Sequence, residues 1–251
     1  MRPDVIDLRE FYASGLGQFA RRALRRRIRA IWPNLTSQWL LGMGYATPFL
    51  RPFRDEAGRV IAVMPAAQGV AHWPAEGPCL TGLADETELP LPDYSVDRVL
   101  LVHALENSEH VGDMLREVWR VLAPGGRLLV VVPNRRGLWA RFEHTPFGHG
   151  RPYTRAQLTQ LLREHEFSPT LTASALFLPP VRWRMLLRAS GALEKLGERW
   201  GPRFAGVILV EAVKQVYAVV PSAKPARQRR LVPAIRPAAV TRRGTVEQTR
   251  G

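Results

Sequence analysis

The stretch of residues 89–134 limits the fold more than any other part of the chain. It reads LPLPDYSVDRVLLVHALEN, then a short amphipathic segment, then LREVWRVLAPGGRLLVVVPN. Residues 99–102 and 128–132 are nearly unbroken runs of Val and Leu of strand length, the pattern of strands covered on both faces. Between them Met114, Leu115, Val118, Trp119, Val121 and Leu122 recur at helical spacing, and Pro124-Gly125-Gly126 stops the helix and turns the chain. A connection of that length carrying a helix predicts two parallel central strands. Ligands of such sheets gather beyond the carboxyl ends of the strands, so His103, Glu106, Pro133 and Asn134 fall where chemistry is expected.

The chain has 251 residues, enough for one well-buried domain with extensions. No apolar run approaches the roughly 18 to 20 residues that span a bilayer, and the start, MRPDVIDLREFY, lacks a secretory apolar core, so a cytoplasmic protein is expected. Cys79 is the only cysteine; it leaves no internal disulfide or cysteine-based metal cluster and is expected to be a small buried residue. The net charge of +14 sits at the ends, with +5 in residues 1–31 and +7 in residues 221–251. Basic extensions of this kind can touch nucleic acid, an anionic membrane or an acidic partner, or merely keep the protein soluble.

Residues 5–30 predict a leading helix, with Leu8, Tyr12, Leu16, Phe19, Leu24 and Ile28 on an apolar stripe and a crowd of arginines opposite. Gly15 and Gly17 are points where it can break. Residues 180–205 predict a helical insertion in which Trp183 is interleaved with Arg182, Arg184 and Arg188, and residues 221–251, rich in Pro and Arg and without aromatics, predict a disordered tail.

The leucine-proline element at Leu89-Pro90-Leu91, the Asp93-x-Ser95-x-Asp97 turn, Leu105-Glu106, a helix ending Arg120-Val121-Leu122, the Pro-Gly-Gly turn and the strand end Pro133-Asn134 together resemble the class I S-adenosylmethionine-dependent methyltransferases, in particular their small-molecule type 11 branch. The likeness covers roughly residues 36–220 and is densest over residues 89–134. It implies an α/β, Rossmann-like fold with a seven-stranded, mostly parallel sheet and helices on both faces. The basic helix of residues 1–31 is then expected to pack on a domain of residues 32–220.

The resemblance also implies S-adenosyl-L-methionine as cofactor. It puts the glycine loop at Gly42, Gly44 and Ala46, where small residues let a ligand approach the backbone. It puts the ribose contact at Met64, ending the strand RVIAVM, and the adenine contact at Asp85 beside Glu86, with His103 lining the same edge. The family usually has acidic residues at the positions of Leu40 and Met64. Missing hydrogen-bond partners of a charged ligand cost about 1.5 to 3 kcal/mol each, so a cofactor affinity lower by a hundredfold or more is expected.

His103 is a candidate general base, since an imidazole titrates near neutral pH, and Glu106 follows it by one turn. His103 can equally be a structural neighbour of the cofactor. In related methyltransferases the loop of residues 142–153 covers the substrate, which makes His149 and Tyr153 further catalytic candidates. Arg135, Arg136, Arg141 and Arg151 around that loop suit an anionic acceptor, or else bond locally. The spacing of Glu143, His144 and His149 matches no strong metal motif, and no metal is expected.

Two functions stand side by side. One is methyl transfer to a small-molecule or lipid-like acceptor, which needs proximity and orientation more than any particular catalytic residue. The other is a methyltransferase-like module without catalysis that contacts nucleic acid, membrane or an acidic partner, motivated by Leu40 and Met64. A nicotinamide oxidoreductase is a third and weaker reading, because it too needs the acid missing at Met64.

Overall fold

In the computed structural model, which describes residues 3–180 and 205–215, the chain is built on seven strands in the order β3-β2-β1-β4-β5-β7-β6. Here β1 is Trp39–Gly44, β2 Arg59–Pro65, β3 Thr81–Ala84, β4 Val96–Val102, β5 Leu122–Pro133, β6 Phe167–Ala175 and β7 Val207–Lys214. The first five run parallel, and β7 lies antiparallel between β5 and β6. The expected seven-stranded, mostly parallel sheet is present, with β4 and β5 at its centre.

Successive side chains of a strand point to opposite faces, and the core divides accordingly. Leu40, Met64, Leu100, Val102, Leu129 and Val131 face α1 (Val5–Ala13), α2 (Gly15–Ile31) and the short α3 (Thr47–Leu50). Leu41, Met43, Val99, Leu101, Leu128 and Val130 face α4 (Val111–Val121) and α5 (Arg155–Glu164). Both faces are covered, which is why these strands read as continuous apolar runs.

The leading helix is two helices. Asp4 caps α1 in a capping box with Asp7, and the chain breaks at Ser14, whose hydroxyl accepts the Gly17 N–H and starts α2. Gly17 is required there, since a Cβ would lie 1.8 Å from the Phe11 carbonyl oxygen. Leu16, Phe19, Leu24 and Ile28 of α2 are buried on the sheet, while α1 turns back over the carboxyl ends of the strands. Cys79 is a correction: it is exposed, because the residues leading into β3 run over the surface, and its thiol meets Thr81. Its contacts with Thr81, side chain first, hold the thiol below its ordinary pKa.

Two charged residues of β7 are buried. Glu211 accepts from Trp32 Nε1, Arg127 Nη1 and Thr170 Oγ1, each at 2.9 Å. Lys214 Nζ donates to the Leu122 carbonyl at 2.6 Å and lies 3.9 Å from the Trp119 ring centroid. The helical region expected at residues 180–205 falls almost wholly, and the basic tail wholly, outside the described residues.

Candidate active site

β1, β2 and β4 end side by side, with Gly44 paired to Val102. Gly44 turns at φ +71° and lies against β4, where a Cβ would come within 2.4 Å of the Val102 carbonyl oxygen; Tyr45 N–H donates to that oxygen at 2.8 Å. A side chain at position 44 would therefore separate β1 from β4. Gly42 faces Leu50, whose Cδ1 would sit 2.6 Å from a Cβ, and Ala46 is fully buried in the same contact. Small residues in this loop are needed for packing α3 onto the sheet.

His103 follows β4 in a left-handed conformation, φ 53°, and is only 1% exposed. Its Nδ1 lies 3.2 Å from Glu106 Oε1 and its Nε2 lies 2.8 Å from the Tyr12 hydroxyl. With Glu106 as carboxylate, Nδ1 carries the proton and Nε2 accepts from the phenol. Burial first, then the Glu106 charge and Tyr45, push the Tyr12 phenol well above its ordinary pKa, which fits Tyr12 as the donor. Phenol, imidazole and carboxylate thus form a buried hydrogen-bonded line.

Tyr12 closes this end of the sheet. Its ring stacks on Tyr45 with centroids 5.7 Å apart, and Phe147 packs 4.9 Å from the imidazole. Gln68 is buried beneath α1: its Nε2 donates to the His103 carbonyl at 3.2 Å, and its own carbonyl accepts the Val5 N–H at 2.8 Å. Tyr12, Tyr45, Gln68 and Phe147 come together from four separate parts of the chain, and the apolar stripe of residues 5–30 places only Tyr12 against the sheet. His103 and Glu106 are brought together as their spacing suggests, but with no open surface above them.

Further out, the ends of β2 and β3 and the start of α4 enclose a cavity of about 360 Å³, bordered by Pro65, Asp85, Glu86, His110 and Asp113. Asp85 Oδ1 accepts from the Thr87 N–H at 2.8 Å and the Thr87 hydroxyl at 2.7 Å, bonds that hold this carboxyl below its ordinary pKa. Met64 is fully buried between these two parts of the edge. His149 lies apart, in a cavity of about 420 Å³ with Asp7, Glu10 and His144. Tyr153 is half-buried, its phenol raised by burial and then by the Glu106 charge, so it stays protonated near neutral pH.

Residues 41–130 match the family described as a methyltransferase domain. Over 129 residues the chain is 36% identical to a probable S-adenosylmethionine-dependent methyltransferase of Mycolicibacterium smegmatis, covering 50% of this chain and 49% of that one. It is 33% identical over 109 residues to a demethylmenaquinone methyltransferase of Deinococcus radiodurans, covering 43% and 44%. The chain thus matches about half the length of these relatives. A solved S-adenosylmethionine-dependent methyltransferase from Thermotoga maritima superposes with a TM-score of 0.61 at 18% identity, over 84% of this chain and 96% of that one, which establishes the fold.

The family implies S-adenosylmethionine as cofactor, and the edge meets it unevenly. The cavity beside Asp85 and Glu86 has space and carboxylates for an adenosine end. Leu40 and Met64, both fully buried and apolar, give no partner to the ammonium or the ribose, and Tyr12 fills the space over Gly44 and His103 that a methionine moiety needs. The inner half does not fit the cofactor with α1 in this position, so the geometry defines no transfer step. Parallel strand order, the buried Gly44 turn and the match of residues 41–130 to the methyltransferase domain nonetheless agree: the chain has the fold of the class I S-adenosylmethionine-dependent methyltransferases and is similar to them across its central strands.

Proposed function

We propose that the protein is an S-adenosylmethionine-dependent methyltransferase acting on a small-molecule or lipid-like acceptor. The observation that carries this reading is the acidic cavity at the ends of β2 and β3, in the middle of the segment that matches the family. The demethylmenaquinone relative favours an apolar ring as the acceptor, with a ring carbon as the site of methylation. The reading carries one structural requirement. α1, held to the edge by the Val5–Gln68 and Tyr12–His103 bonds, must leave it for the cofactor to enter fully.

The sealed inner half, together with Leu40 and Met64, favours a second reading in which the fold binds without transferring methyl groups. Calorimetry of the full chain with S-adenosylmethionine and S-adenosylhomocysteine separates the two. Binding of either supports the cofactor site, and methylation of demethylmenaquinol or another quinol supports the acceptor class. Binding without turnover on a panel of ring acceptors favours the second reading. If neither compound binds at millimolar concentration, the proposal fails.

A further inference from the structure

A recess of about 280 Å³ beside Tyr12 lies between α1, α2, the start of α3 and the loop after β2. Four arginines converge on it: Arg9 from α1, Arg21 and Arg25 from α2, and Arg51 from the turn that follows α3. Arg21 and Arg25 are four residues apart, so they share one helical face. No Asp or Glu lines the recess. A merely solvated basic face lets its side chains splay into water, whereas here three separate elements bring like charges together.

Two details show that the fold bears this arrangement at some cost. Arg25 Nε is fixed to the Pro48 carbonyl at 2.6 Å, so its guanidinium is held in the recess; burial, then the charges of Arg21 and Arg51, hold it below its ordinary pKa. Arg21 Nε is buried with no hydrogen-bond partner. Arg29 and Arg127, by contrast, pair with the carboxylates of Glu56 and Glu211. Buried, unpaired cationic donors are destabilising unless a counter-charge meets them.

We propose that this recess binds a small molecule carrying a phosphate or diphosphate group, with the four guanidinium groups taking the oxyanion and the Trp73 and Tyr45 rings bordering the remainder. Guanidinium forks match phosphate oxygens bidentately, and four of them exceed what a single carboxylate can satisfy. The site is an open recess between three elements, with Arg9 and Arg51 exposed at its rim, while Arg22 and Arg26, which would extend it into a stripe for a polymer, are exposed on α2 and do not line it. The inference does not depend on methyl transfer.

Titration calorimetry of the full chain with inorganic pyrophosphate, orthophosphate and acetate at one ionic strength tests it. Saturable binding is expected in the order pyrophosphate, orthophosphate, acetate. Arg51→Gln and Arg21→Gln should each weaken pyrophosphate about tenfold, whereas Arg163→Gln on α5 should leave it unchanged. Arg51 is exposed, so its variant should keep the wild-type Tm even if Arg21→Gln does not. Lack of saturation by pyrophosphate at millimolar concentration overturns the proposal, as does equal binding of acetate or equal loss in Arg163→Gln. A short DNA duplex that binds through Arg21 and Arg51 and is not displaced by pyrophosphate also overturns it, in favour of a nucleic-acid surface.

Discussion

Above Gly44 and His103 the strand ends are sealed under Tyr12, Tyr45 and Phe147, whereas above Pro65 and Asp85 they open into a cavity bordered by carboxylates. Both belong to one sheet edge, yet they are built differently. The sealed half depends on a helix of nine residues brought in from the start of the chain, and the open half is made by the strands and the loop that follows β3. Closure is thus a property of α1, and the room for an adenosine end is a property of the sheet.

The difference can be tested by removing the cover. Tyr12→Ala should destabilise the fold by about 3 to 5 kcal/mol, the usual cost of truncating a buried aromatic ring, as read by urea denaturation. The same variant should bind S-adenosylhomocysteine at least as tightly as the wild type, because the inner half is vacated; weaker binding in a folded variant would show that Tyr12 helps to hold the ligand. Tyr12→Phe keeps the stack on Tyr45 but leaves His103 Nε2 buried without its partner, for a smaller loss of about 1 to 3 kcal/mol.

On the open half, Asp85→Asn should weaken S-adenosylhomocysteine roughly tenfold while the Tm stays near that of the wild type, since the residue is exposed. Equal affinity in the two proteins would remove Asp85 from the site. The smallest effect is expected from Glu117, which anchors the wall of this half. Its carboxylate bonds Arg120, which reaches the Leu89 and Leu91 carbonyls, and accepts the Leu89 N–H at 2.9 Å. The Arg120 bond, opposed by burial and aided by Leu89, holds the Glu117 carboxyl below its ordinary pKa. A carboxyl lowered on folding adds stability above its unfolded pKa, about 4.3, and loses it as pH falls through the folded value. Glu117→Gln should therefore cost about 0.5 to 1 kcal/mol at neutral pH and nothing well below pH 4, flattening the acid limb of a stability profile.

The architecture was legible because β1, β4 and β5 are covered on both faces and show it as unbroken apolar runs. The Asp-x-Ser-x-Asp turn marks the start of β4 locally, whereas Pro124-Gly125-Gly126, expected to stop the helix and turn the chain, falls inside β5, where the pairing with β4 shifts register between Val96 and Arg98. The site was less legible because its decisive contacts are not local: Tyr12 and His103 are 91 positions apart, and the four arginines come from three elements. The break in the leading helix falls beside Gly15 and Gly17, where the sequence allows one, and the Ser14 hydroxyl three positions before Gly17 fixes it as an N-cap. Cys79 was misplaced because small apolar residues are usually buried, and only the path of the chain into β3 decides otherwise.

The position of β7 has a consequence for how the molecule is assembled. Among the described residues β6 pairs only with β7, and β7 follows the other six strands. Until residues 207–214 arrive, β5 presents a bare edge and β6 has nothing to pair with, so an intermediate lacking this segment is open to sticking to its own kind. Arrival is also checked chemically: sliding β7 by one residue would turn Glu211 away from Trp32, Arg127 and Thr170 and Lys214 away from Leu122. β7 can therefore be seated late without being seated wrongly.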